Sequence, residues 1–245
     1  MENNTYTPSN MGQPSIGTLD GSSVRTFLAN VFGYMSLALI ISGLVAWWFA
    51  HDVRMLGYLI DFTTGKQTIL GWVVLFAPLG LVLIMSSAIE RLSGAALLAL
   101  FLVYSAVNGM TLSYIFLAYT LSSIASVFFI SAAVFGVMAI AGYTTKTDLT
   151  KLGTILFIGL IGIVIAGLVN MFLQSDTMGY IISIIGVIVF TGLTAYDVQK
   201  LKAIGEQAIN GTEQTQKMAL MGALRLYLDF INLFLMLLRL FGRRN

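Results

Sequence analysis

Between Leu92 and Thr145 the chain runs for 54 residues without one charged side chain. A single helix of that length would be about 81 Å long at 1.5 Å per residue, whereas the hydrocarbon core of a bilayer is about 30 Å thick. The run therefore predicts two membrane crossings joined by a turn. Its one polar break, residues 118–123 (AYTLSS), places the turn. Composition supports the same solvent. The chain is 58% hydrophobic and 10% charged, against about 25% charged for an average soluble domain, so lipid must cover most of its surface.

A crossing helix needs about 20 apolar residues. Residues 26–50 give the first span, and 51–66 a polar loop. Residues 67–89 give the second span, with Pro78 inside it as a kink site. After the uncharged pair, residues 152–173 and 178–196 give the fifth and sixth spans. Residues 200–217 read as the longest late loop, and 218–238 as the seventh span. The fold class predicted is an all-α integral membrane protein with seven transmembrane helices. Residues 1–25 read as a disordered polar tail with no signal-peptide pattern, and residues 26–242 as one transmembrane domain. Gly159, Gly162, Ala166, Gly186 and Gly192 are small enough to allow close helix approach.

Lys and Arg counts set orientation. The N-terminal side of a seven-span chain holds Arg25, Arg91, Lys146, Lys151, Lys200, Lys202 and Lys217; the other side holds Arg54, Lys66, Arg239, Arg243 and Arg244. The bias points to a cytoplasmic N-terminus. The three C-terminal arginines would also favour the cytoplasm, which leaves open whether the last helix crosses fully.

The last span carries Asp229 in its middle. An acid there costs roughly 2.5–3.5 kcal/mol on insertion scales, so it is usually internal, paired and functional. Arg225, Asp229, Asn232, Met236 and Arg239 stand three and four apart and share one helix face. Such a polar stripe in an apolar wrap belongs inside a bundle. A second acid, Asp197, closes the preceding span in Thr194-Ala195-Tyr196-Asp197-Val198-Gln199-Lys200. If the two carboxyls meet, both cannot be ionised cheaply; they would share a proton and titrate as a unit. That arrangement suits a proton sensor or a cation waystation. Calcium takes 6–8 oxygens and two carboxylates offer four, so any calcium here would be held weakly and keep water. Two local pairings remain open: Asp197 with Lys200 or Lys202, and Asp229 with Arg225. Arg91, which ends the second span, either reaches Asp197 or extends to the interface. Asn108, Asn170 and Asn232 read as helix-packing hydrogen bonds, and His51, Trp47 and Trp48 as an interfacial belt.

Residues 192–202, Gly-Leu-Thr-Ala-Tyr-Asp-Val-Gln-Lys-Leu-Lys, resemble the signature of the Bax inhibitor family, and residues 226–234, Leu-Tyr-Leu-Asp-Phe-Ile-Asn-Leu-Phe, resemble that family's last helix. The resemblance runs from about Phe27 to Gly242. It implies six helices wrapped around a central C-terminal helix and a calcium leak controlled by pH through Asp197 and Asp229. It also implies that Arg91 acts as a latch on the sixth-helix acid. The short C-terminus, with Arg243-Arg244 and no long basic tail, is similar to bacterial inner-membrane members. Some bacterial relatives bind a membrane-anchored AAA protease, and residues 1–23 could serve that contact.

Other functions find less support. The chain has no cysteine and a single histidine, His51, which excludes thiolate chemistry, multi-histidine zinc and an intramembrane Ser-His pair. A net charge of +2 is too small to suggest nucleic acid. An intramembrane aspartyl protease would use two acids on separate helices, but the Gly-x-Gly-Asp half of its motif is absent around Asp229. The last span has no lysine for a retinal Schiff base. The expectation is a non-enzymatic protein without a cofactor, whose partners are the bilayer, protons and calcium as the permeant ion.

Overall fold

The computed structural model describes residues 21–245, with side chains from residue 22. The expected tail therefore lies, for residues 1–20, outside the described residues, while residues 21–25 already belong to a helix. The helices are α1 (Gly21–His51), α2 (Val53–Leu59), α3 (Ile69–Ser87), α4 (Gly94–Leu112), α5 (Tyr114–Ala118), α6 (Leu121–Thr144), α7 (Thr150–Leu173), α8 (Asp176–Gln207) and α9 (Glu213–Phe241). With α5 continuing α4, seven are long and apolar enough to cross a membrane, and the chain is an all-α membrane protein. The uncharged run turns at Tyr119 and Thr120, inside the polar break. Pro78 lies within α3.

Two departures from the sequence reading matter. The loop after the first span is ordered. It carries α2 and a short hairpin of β1 (Ile60–Asp61) on β2 (Lys66–Gln67). The sixth span does not stop at Asp197. Val198, Leu201 and Gly205 stay buried along one side of α8, and the helix runs on to Gln207, just ahead of a turn at Asn210-Gly211 where Gly211 takes φ 83°. The long loop expected over residues 200–217 shrinks to residues 208–212, and α9 begins at Glu213 with Thr212 accepting from the Thr215 amide.

Contacts between helix ends sort the loops into two sides. Gly205 near the end of α8 lies against Val24 and Phe27 of α1, and Glu213 accepts from the Gly94 amide at 2.8 Å. Gln199 on α8 bonds Leu149 and Thr147 of the α6–α7 turn. At the other side Arg244 pairs with Asp176 at 3.8 Å, residues 243–245 bond the turn between α5 and α6, and the His51 ring meets Phe116. The end of α9 thus lies on the opposite side from the start of α1, so the last helix crosses fully.

Burial ranks the helices. In α9, 67% of the most apolar stretch is buried, against 17% in α3 and α7. α1, α4, α6 and α8 pack on α9, whereas α3 packs chiefly on α4 and α7 on α8. One face of α9 is held by a buried relay. Asn108 Nδ2 donates to the Tyr227 hydroxyl at 2.7 Å. That hydroxyl lies 2.6 Å from Ser42 Oγ, which donates to the Ser105 carbonyl at 2.7 Å. Tyr227 is fully buried, so these bonds tie α9 to α1 and α4 where no water competes.

Candidate functional site

The polar stripe of α9 faces away from the Tyr227 relay. Arg225, Asp229 and Asn232 line a cavity of about 450 Å³ together with Asp197 and Lys200 of α8 and Gly153 of α7. Asp197 and Asp229 are each 5% exposed, and they line this same cavity from α8 and α9. Two glycines let α6 and α7 pack closely on this part of α8. A Cβ on Gly142 of α6 would strike the Ala195 carbonyl, and one on Gly153 would strike the Tyr196 ring. Helix α6 can therefore close on the Ala195 backbone only with glycine at 142, while any side chain at 153 would have to displace the Tyr196 ring.

The cation on the acid pair is Arg225. Its Nη1 donates to Asp197 Oδ1 at 3.3 Å, while its side chain stays 46% exposed. Arg225 lies one turn before Asp229 but reaches across to α8, so the intrahelical Arg225–Asp229 pair is not formed. Lys202 donates to the Tyr143 carbonyl and Lys200 lies over the Tyr196 ring at 5.9 Å; neither pairs with Asp197 among the described residues. Asp229 Oδ2 is buried with no hydrogen-bond partner. Such an orphan acceptor costs about 1–3 kcal/mol, which a proton, water or cation would relieve.

The expected Arg91–Asp197 latch contact is not made. Arg91 is exposed in the turn between α3 and α4, level with the start of α9, where Gly94 meets Glu213. Asp197 stands ten residues before the end of α8, about 15 Å deeper along the helix, beyond the reach of an arginine side chain. The sequence reading left Arg91 either reaching Asp197 or extending to the interface, and the first alternative was open only because the sixth helix was ended at Asp197.

The three asparagines take different roles. Asn108 bonds Tyr227 across helices, Asn170 Oδ1 accepts the Ser175 amide at the end of α7, and Asn232 Nδ2 donates to Leu228 of its own helix. Of the small residues expected in packing, Gly159, Gly186 and Gly192 face Val189, Met236 and Leu156, whereas Gly162 faces open space. Sequence reasoning missed the Arg225–Asp197 pair and the Tyr227 relay. The offset of Tyr227 from Arg225 and Asp229, two residues from each and so on the opposite side of one helix, was the available signal. Among the described residues no three His, Cys, Asp or Glu side chains form a metal cluster.

Comparison with known proteins agrees with this architecture. Residues 24–245 match the family described as Inhibitor of apoptosis-promoting Bax1. The chain is 47% identical to Inner membrane protein YbhL of Escherichia coli, over 91% of this chain and 94% of that protein. It is 45% identical to an uncharacterized protein of Borreliella burgdorferi, over 89% and 92%. It is also 43% identical to the uncharacterized protein RP147 of Rickettsia prowazekii, over 91% of each chain. The chain therefore belongs to the Bax inhibitor family of membrane proteins.

Proposed function

We propose that this chain is a pH-sensitive cation leak, with calcium as the permeant ion and no covalent chemistry. We place it in a bacterial inner membrane with its N-terminus in the cytoplasm. The observation that carries the reading is the buried Asp197–Asp229 pair, with its unpartnered Asp229 oxygen, in a cavity that also admits the exposed head of Arg225. The name of the Escherichia coli relative supports the membrane, and the Lys/Arg bias supports the orientation.

The mechanism follows from charge. With one shared proton the pair is stable and close. When pH rises and both acids ionise they repel; for two unit charges the repulsion is about 4 kcal/mol at a reference separation of about 4 Å and an effective dielectric of about 20. That is comparable with the few kcal/mol separating two conformers of a gate. A cation entering the cavity would meet four carboxylate oxygens, fewer than calcium needs, so it would keep water and leave easily, as permeation requires.

The test is calcium flux into liposomes holding the purified protein, across a pH series. Asp197→Asn and Asp229→Asn should each abolish the pH response alone, because repulsion needs two charges, and the double variant should add little. If Asp229→Asn keeps the response while Asp197→Asn removes it, the pair is not the sensor. A reporter fused to the N-terminus should read cytoplasmic; a periplasmic reading reverses the orientation.

A further inference from the structure

The acid cavity does not stand alone. A second cavity of about 340 Å³ continues along the same stripe of α9, past Met236 to Arg239. Both are bounded by the same three residues, one from each helix: Leu160 of α7, Phe190 of α8 and Asn232 of α9. From Arg225 to Arg239 the stripe covers 15 residues of α9, about 21 Å along the helix axis. The first cavity reaches Lys200, toward the end of α8 that meets the start of α1. The second ends at Arg239, whose guanidinium lies on Gly179 in the first turn of α8, on the other side.

We propose that the permeation route of the leak runs along this seam between α7, α8 and α9, and that Leu160, Phe190 and Asn232 form its constriction. The proposal rests on the leak reading above and names its path. Phe190 is 3% exposed, and with Leu160 it makes an apolar collar, which closes a pore by excluding water. Asn232 is the one polar group at the collar. Its Nδ2 is committed to the Leu228 carbonyl at 2.8 Å, so its Oδ1 is left as an acceptor for the water around a passing cation. The sparse packing of α7, which rests mainly on α8, lets the collar widen without disturbing the relay that holds α9 to α1 and α4.

The chain has no cysteine, so single cysteines report water directly, because only the hydrated thiolate reacts. Asn232→Cys and Leu160→Cys are made separately, so that a folding defect in one leaves the other. Each is treated in liposomes with a cationic methanethiosulfonate at the pH of maximal flux. Both should be modified, and modification should lower calcium flux severalfold. Ile188→Cys, at a site 65% exposed on the opposite flank of α8, should stay unmodified. Phe190→Ala should raise flux about tenfold, as expected when an apolar barrier is thinned. If neither cysteine reacts, or Phe190→Ala leaves flux within about twofold, while the unsubstituted protein still conducts with its aspartate-dependent pH response, the route is wrong and the leak reading stands. If the unsubstituted protein carries no cation flux, the leak reading falls and the route with it.

Discussion

If the acid pair is the proposed sensor, Arg225, its counter-ion on Asp197, should set how it responds to protons, and Arg225→Gln isolates that role. The substitution keeps a hydrogen-bonding side chain, though a shorter one, and removes the charge. The bond from Arg225 Nη1 to Asp197 is 3.3 Å long, and a hydrogen bond to a charged group contributes about 1.5–3 kcal/mol. Because the arginine is 46% exposed, solvent screening puts it in the lower part of that range, about 1.5–2 kcal/mol. That stabilisation favours the doubly ionised pair. Its loss makes ionisation harder, so the midpoint of the pH response of flux should rise by about 1–1.5 units, at 1.36 kcal/mol per unit. Arg225→Lys restores the charge and should recover most of the original midpoint. The assay is the liposome flux titration used for the aspartates, read as a midpoint rather than an amplitude. A midpoint that stays or falls in Arg225→Gln, with the Asp197→Asn effect intact, would refute the argument that Arg225 is the counter-ion of the sensor.

Two further expectations use residues away from the pair. Arg91→Ala should leave the midpoint in place, because Arg91 is exposed and about 15 Å along the bundle from Asp197; a shift as large as that of Arg225→Gln would mean that Arg91 engages Asp197 in another conformer. In the loop hairpin, bonds from the Thr63 hydroxyl and amide and from the Thr64 hydroxyl hold the Asp61 carboxyl down to about 2. Its contribution to the hairpin is fully present above the ordinary carboxylate range and is lost as pH falls toward 2. A carboxyl-carbon NMR titration of Asp61 should find that midpoint, and Thr63→Ala should move it up toward 3.8.

Much of the fold was legible because hydrophobic length is a strong signal. The 54-residue uncharged run could only be two crossings, and the structure turns it at Tyr119 and Thr120. Helix ends were less legible. The residues after Asp197 are a mixture of Lys, Gln, Leu and Ala, which reads as loop when the test is membrane hydropathy, although Val198, Leu201 and Gly205 keep a buried helical face. That single error moved Asp197 to a helix end, put Arg91 within apparent reach and hid Arg225. The polar stripe on α9 was readable from spacing. What lay on the opposite face was not, because Tyr227, Ser42 and Asn108 are far apart in sequence and each looks ordinary alone.

That opposite face yields the last prediction. Tyr227→Phe removes one hydroxyl and leaves the ring, which packs edge-on to Phe101 and Tyr104. The hydroxyl serves both Asn108 and Ser42. Inter-helix bonds in membrane proteins average about 0.6 kcal/mol and reach about 1.7, so losing two should destabilise the protein by about 1–2 kcal/mol. At about 2–4 °C per kcal/mol for a chain of this size, the Tm in detergent should fall by a few degrees. The pH midpoint of flux should not move, because Tyr227 and Asp229, two residues apart, point to opposite sides of α9 and share no partner. A shifted midpoint in Tyr227→Phe would mean that α9 itself moves when the pair ionises. An unshifted midpoint with a lower Tm would assign α9 as the fixed wall of the site, against which α7 and α8 must do the opening.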